Sequence, residues 1–236
     1  MFINGFDILW DEIDDYVADI KSIRSIDQFT FTKPVTFFCG ENGSGKSTLF
    51  EALAIKNGLN PEGGTRNYNF STYDSYSNLH KHMRLWRNRK PDWMYFLRAE
   101  SFYNVATKEM EYSGVFSERY HDQSHGQSFF SVLMKQTNKN GLYLLDEPEA
   151  ALSCQNQLAL LYLIQLCVKQ NCQFIIATHS PILLGFPNAQ ILSFDDGKVE
   201  EVDYKSTSSY QTMKLFLDRY DYFVKDIQEN NEGGIL

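Results

Sequence analysis

Gly40–Ser47 reads Gly-Glu-Asn-Gly-Ser-Gly-Lys-Ser, the pattern GxxxxGK[ST] of a phosphate-binding loop. Its surroundings fit that reading. Val35-Thr36-Phe37-Phe38-Cys39 leads in as an apolar run and predicts a buried strand. Lys46–Asn57 leads out with Leu49, Leu53 and Ile55 at helical spacing, and Gly58 is placed to end the helix. Glycines let backbone N–H groups close around anionic oxygens, and the helix N-terminus adds partial positive charge. The expected phosphate contacts are Gly40, Glu41, Asn42, Gly43, Ser44, Gly45, Lys46, Ser47 and Thr48. Lys46 would reach the β- and γ-phosphates, and the Ser47 hydroxyl would ligate Mg²⁺. The pattern implies binding of a nucleoside triphosphate.

Working outward, apolar runs alternate with helical patterns. Leu142–Leu145 and Phe174–Ala177 predict buried strands, and Trp93–Arg98 is strand-like. Cys154–Lys169 predicts a helix with Leu158, Leu161, Tyr162 and Leu166 apolar; Phe129–Met134 predicts a short one. Phe29–Thr32 reads as strand before the break at Pro34. Ile191–Phe194 and Lys198–Val202 predict an antiparallel hairpin about Asp196-Gly197. Ser208–Phe223 predicts a final helix, followed by a polar, frayed tail from Asp226. Strands that are apolar throughout and alternate with helices indicate an α/β fold with a mainly parallel core sheet.

At 236 residues the chain is read as one domain, 1–236, with 226–236 a flexible tail. Residues 59–123 read as an insertion, rich in Gly, Asn, Ser, Tyr and His at its start, with a small amphipathic helix over Leu79–Trp86. A formal net charge of −8 argues against tight nonspecific binding of bare nucleic acid. It leaves room for a local basic cluster at Lys81, Arg84, Arg87, Arg89 and Lys90, whose ordinary reading is a solvated helix face. Cys39, Cys154, Cys167 and Cys172 lack metal-type spacing and are expected as thiols. No signal peptide is evident, and the longest apolar stretch, Leu158–Val168, is too short to span a bilayer. These readings predict a cytoplasmic protein that does not insert into membranes.

Three further stretches carry chemistry. Leu142–Glu147 runs apolar into two adjacent carboxylates at a strand's end. Asp146 is the expected Mg²⁺ partner and Glu147 the base for an attacking water. Ala177-Thr178-His179-Ser180-Pro181 places His179 at another strand's end, where it can orient that water. Gln123–Ser128 opens a helix, so Ser124 and the backbone near Gly126 offer a second anion site or simply a cap.

The order GENGSGKS, SHGQS, LYLLDEPEAALS, ATHSP resembles the ATP-binding-cassette (ABC) class of P-loop ATPases. SHGQS stands where that class has LSGGQ, with His125 in place of the first glycine. Glu147–Ser153 resembles the segment leading into the D-loop, with Ser153 where transporters often have aspartate. Within the class, the chain is most similar to small soluble ATPases carrying NPEGG, FLRAESF and LLDEPEAALS. The resemblance implies ATP with Mg²⁺, and a head-to-tail homodimer in which Ser124, Gly126 and Gln127 of one subunit complete the ATP site of the other. The class glutamine that senses the γ-phosphate corresponds to Phe96–Ser101, which offers Glu100 instead, with Arg98 the other candidate there. The stretch from Lys46 to Ser124 is too short for the long coiled coil of chromosome-maintenance ATPases, so those relatives share the head and not the arms.

No guanine-reading motif is present. Phe29 and Phe31 are candidates for stacking on adenine or for core packing, and Arg66 for contacting nucleotide or partner. The leading expectation is therefore an ATP hydrolase whose ATP-driven dimerisation is a switch for a nucleic-acid or defence-related partner. Resemblance of DEPEAALS and THSP to recombination-repair ATPases favours it. The alternatives are an ATP-binding subunit docking on a membrane transporter, and a noncatalytic scaffold, with which Lys46, Asp146, Glu147 and His179 conflict.

Overall fold

The computed structural model describes residues 1–10, 13, 15–65, 77–98, 134 and 140–229. Its centre is a sheet of seven strands built around the predicted apolar runs. In chain order the strands are β1 (Ile3–Ile8), β2 (Gln28–Thr30), β3 (Val35–Cys39), β4 (Gly64–Thr65), β5 (Met83–Arg87), β6 (Trp93–Arg98), β7 (Gly141–Asp146), β8 (Gln173–Ala177), β9 (Gln190–Ser193) and β10 (Glu200–Glu201). The central sheet has the order β10-β9-β3-β8-β7-β6-β4. Its five inner strands pair in parallel, and β10 and β4 close the edges antiparallel. A second, antiparallel sheet has the order β2-β1-β5. The expected α/β architecture is therefore present.

Alternation along each inner strand supplies two cores. Phe38, Phe96, Leu142, Leu144 and Ile175 face one cluster, shared with the three-stranded sheet and helix Lys46–Lys56. Phe37, Tyr95, Tyr143, Leu145 and Ile176 face the other, covered by helix Cys154–Lys169. Number the helices α1 (Lys21–Arg24), α2 (Lys46–Lys56), α3 (Leu79–His82), α4 (Cys154–Lys169), α5 (Pro181–Leu184), α6 (Ser208–Asp218) and α7 (Tyr220–Glu229). The bounds of α4 match those expected, but it buries Leu160, Leu163, Ile164 and Cys167 and leaves Leu158, Tyr162 and Leu166 exposed. All four cysteines are free thiols, three of them buried. Burial pushes the Cys39 thiol up to about 12.

Two expectations are corrected. The helix over Leu79–Trp86 stops at His82, and Met83–Arg87 is a strand instead. The cause is long-range: β1 offers an edge that pairs with it from Ile8↔Met83 to Ile3↔Arg87. Trp86 lies across Gly5, where any Cβ would come within 2.6 Å of the indole, and donates its Nε1–H to Asp7 at 2.8 Å. The single helix over Ser208–Phe223 is two, broken at Arg219 (φ −127°). α7 runs past Asp226 to Glu229, and residues 230–236 of the expected tail lie outside the described residues. The hairpin is found, with Asp195–Gly197 as a wider turn in which Asp196 and Gly197 are left-handed (φ 57° and 70°).

Candidate functional site

Parallel register brings the ends of four strands together. Phe38 pairs with Ala177, Ala177 with Asp146, and Asp146 with Arg98. The loop after β3, the Asp146-Glu147 pair after β7 and His179 after β8 therefore share one edge. Two backbone bonds lock the alignment beyond the strands: Thr178 N–H donates to Phe38 at 3.0 Å and Glu147 N–H to Ala177 at 2.9 Å.

The loop itself is built on left-handed glycines, with φ of 133° at Gly40, 79° at Gly43 and 93° at Gly45. A Cβ at Gly45 would stand 2.7 Å from Ile20 Cγ2 and 2.9 Å from Ile23 Cγ1, so the glycine also admits close packing by α1. Ser22 adds a hydroxyl that donates to the Ser44 carbonyl. Lys46 is 4% exposed and donates to the carbonyls of Gly40 (2.7 Å) and Glu41 (2.6 Å) and to Ser44 Oγ (3.3 Å). Burial lowers its pKa, and the carboxylates of Glu147, Asp195 and Asp146 act in the opposite direction. A cavity of about 130 Å³ lies between Asn42, Gly43, Gly45, Lys46, Ser47 and Thr48 on the loop, with Ile20 and Glu147 closing it.

Glu147 occupies a left-handed conformation (φ 49°, ψ 50°), which in a residue with a long side chain is strained backbone of the kind that gathers at functional sites. The turn carries its carboxylate out of the strand line and to the cavity, while Asp146 stays buried at 5% exposure. His179 Nε2 lies 3.5 Å from Glu147 Oε1, with the two side chains 37% and 41% exposed. His179 is itself positioned from behind. Its backbone N–H donates to Glu149 Oε1 at 2.6 Å. Ser180 N–H donates to Thr178 Oγ1, Ser180 Oγ–H to Gln157 Oε1 at 2.6 Å, and Gln157 Nε2–H to the Leu152 carbonyl. The stretch after Glu147 and the stretch around His179 are thus one hydrogen-bonded unit.

Arg98 pairs with Glu51 of α2 at 3.8 Å, and burial raises the Glu51 pKa against the opposing pull of Arg98. Phe31 is buried against Phe6 and Phe29 and serves the core, while Phe29 is half-buried beside it. Of the basic cluster, Arg87 donates to the Lys56 carbonyl and Arg89 lies over the Phe2 ring. Ser124, Gly126, Gln127, Glu100, Arg66 and the 129–133 part of the expected short helix lie outside the described residues.

Sequence reading missed the part of the site made by chain ends remote from the motif. Ile20, Lys21 and Ser22, together with Asp195, Asp196 and Gly197, border a second cavity of about 370 Å³ along Glu41–Ser44. Asp195 Oδ1 accepts from Glu41 N–H at 2.9 Å. The only sequence signal was the Asp-Asp-Gly turn itself, which any hairpin would carry.

Two family models match the chain, an AAA domain over residues 17–84 and an AAA ATPase domain over 124–184. The first spans α1 and the phosphate loop, the second Asp146, Glu147 and His179. Both matches support ATP hydrolase activity. No curated protein sequence matches this ATPase. Among solved structures, cbiO1 from Clostridium perfringens, part of the ABC transporter complex cbiONQ, is 17% identical over 95% of this chain and 99% of its own, with a TM-score of 0.49. The ADP conformation of an ATP-binding cassette of an ABC transporter is 17% identical over 85% and 90%, at 0.48. The SMC head domain from Thermotoga maritima is 14% identical over 86% and 98%, at 0.45. No helix among the described residues is long and apolar enough to cross a membrane.

Proposed function

We propose that this ATPase is a nucleotide-gated dimeric switch. ATP held on Gly40–Thr48 of one copy is closed over by Ser124, Gly126 and Gln127 of a second copy, and hydrolysis reopens the pair. The supporting observation is the meeting of Lys46 and Glu147 on a cavity open to solvent, with His179 Nε2 3.5 Å from Glu147 at the same sheet edge. Ser47 is exposed, and Glu147 and His179 are both more than a third exposed. A charge-transfer site in contact with water gains from a lid, because excluding water strengthens every electrostatic contact inside it.

Each residue has a task. The Lys46 ammonium leaves the loop carbonyls for the β- and γ-phosphates, whose charge it offsets. Glu147 accepts the proton of the attacking water, and His179 holds that water in line. The Ser47 hydroxyl and the Asp146 carboxylate are hard oxygen donors of the kind Mg²⁺ takes, and two protein ligands leave room for phosphate and water. Bound there, Mg²⁺ supplies further compensation of phosphate charge. The switch acts in the reducing cytoplasm, which the four free thiols support, and reports to a nucleic-acid or defence-related partner.

Light scattering of Glu147→Gln with and without Mg-ATP tests this. The variant should bind ATP, double in mass with it, and hydrolyse it at least about 100-fold more slowly. Normal turnover would remove Glu147 as the base. An unchanged mass with ATP bound would remove the dimeric switch.

A further inference from the structure

Cys167 and Cys172 meet where α4 ends and β8 begins. Two bonds close the turn between them: Asn171 N–H donates to the Val168 carbonyl and Cys172 N–H to the Cys167 carbonyl, each at 3.0 Å. Asn171 is left-handed (φ 63°). This is the Schellman arrangement, which commonly brings the side chains at its two ends into apolar contact. Here both ends are cysteine. The bond from Cys172 N–H to Cys167 keeps the two Cα atoms within about 7 Å, the reach of a disulfide. Both side chains are 2% exposed and enter the same core cluster beneath α4. Their thiols hydrogen-bond to one another.

The two sulfurs are not equivalent. Cys172 also accepts from Gly141 N–H and from the Tyr143 hydroxyl. Tyr143 is 1% exposed and stacked on Phe174, with ring centroids 4.7 Å apart, which fixes its hydroxyl. A Cβ at Gly141 would stand 3.1 Å from that hydroxyl, so the glycine leaves it room. Donation from Cys167, Gly141 and Tyr143 holds the Cys172 thiol below its ordinary range, although burial acts the other way. Donating to Cys172, together with burial, pushes Cys167 up. Cys39, by contrast, shows only the upward shift usual for a buried thiol.

We propose that Cys167 and Cys172 are a peroxide-responsive pair that closes reversibly to a disulfide. The Cys172 sulfur attacks one oxygen of hydrogen peroxide and becomes a sulfenic acid; the other oxygen leaves as water with the thiol proton. The Cys167 sulfur then attacks the Cys172 sulfur, gives up its proton and expels the sulfenic hydroxyl as a second water. The pair thus loses two electrons and two protons, and two equivalents of a cellular thiol restore it. Exposed Gln170 and Asn171 form the turn that joins the pair to the surface. This site is separate from the nucleotide switch proposed above and does not rest on it.

The test uses the full chain carrying Cys154→Ser, which removes the exposed thiol. Hydrogen peroxide is applied under conditions that oxidise Cys154 in the wild-type chain. Intact mass should fall by about 2 Da and a peptide pair joined through 167 and 172 should appear, both reversed by dithiothreitol. Adding Cys167→Ser removes the resolving thiol, so dimedone should then label Cys172. With Cys172→Ser instead, Cys167 should stay a thiol. The mass readout needs only the Cys154→Ser parent and stands even where a core variant folds poorly. Oxygen added to either cysteine without a bridge, or both thiols still open to alkylation after denaturation, overturns the proposal. Dimedone on Cys167 in the Cys172→Ser chain overturns the role of Cys172 as the attacking sulfur.

Discussion

Gln173 holds the two sheets together, and replacing it should cost more than any other single uncharged polar substitution in the core. The side chain is wholly buried at the start of β8. Its Oε1 accepts from Phe2 N–H at 2.7 Å and Ile3 N–H at 3.0 Å, and its Nε2–H donates to the Ile3 carbonyl at 2.9 Å. Phe2 and Ile3 are each 1% exposed, so water cannot replace a lost partner. Gln173→Met keeps the length of the side chain and strips all three bonds. Stranding three buried backbone groups at about 1–2 kcal/mol each gives a loss of about 3–6 kcal/mol. Typical domain stability is about 5–15 kcal/mol, so the variant should be severely weakened. With a urea slope near 3 kcal/mol/M, tryptophan-detected unfolding should shift its midpoint down by about 1–2 M. Gln173→Glu, which keeps an acceptor for the two N–H groups, should lie between the two. ATP affinity should fall along with stability, because β1 leads into the segment that seats Ile20 and Ile23 on Gly45. A Gln173→Met loss under about 1 kcal/mol would refute the reasoning, since it would mean these groups find other partners.

Gly45→Ala should weaken ATP binding by at least about tenfold in calorimetry, because a Cβ in a left-handed conformation must also displace Ile20 and Ile23. Unchanged affinity would mean that the loop yields without cost. Arg98→Met should show a pH signature. Burial already raises the Glu51 carboxyl, and removing Arg98 raises it further. A carboxyl whose folded pKa lies above its unfolded value favours the folded state at low pH and loses that contribution as pH rises through the folded pKa. The variant should therefore melt close to wild type near pH 4 and lose about 1–2 kcal/mol by pH 7. A deficit independent of pH would assign it to lost packing instead.

The motif order and the apolar runs were enough to predict the α/β class, the parallel inner strands and the cluster of Lys46, Asp146, Glu147 and His179. Those features are local: a strand that is apolar on both faces and ends in a fixed polar tripeptide reads the same in any context. Met83–Arg87 shows where local reading ends. Its residues suit a helix and a strand alike, and the unpaired edge of β1, some eighty positions earlier, decides between them. The same holds for α4, whose apolar residues surround the helix, so that only the sheet beneath selects Leu160 and Ile164 over Leu158 and Tyr162. Asp195 and Ser22 join the loop through hydrogen bonds that span 154 and 22 positions. The sequence by itself determined what the loop is and which residue types serve it. Tertiary structure decided which remote side chains hold it in shape, because that choice is made by edges and faces that exist only once the sheet has formed.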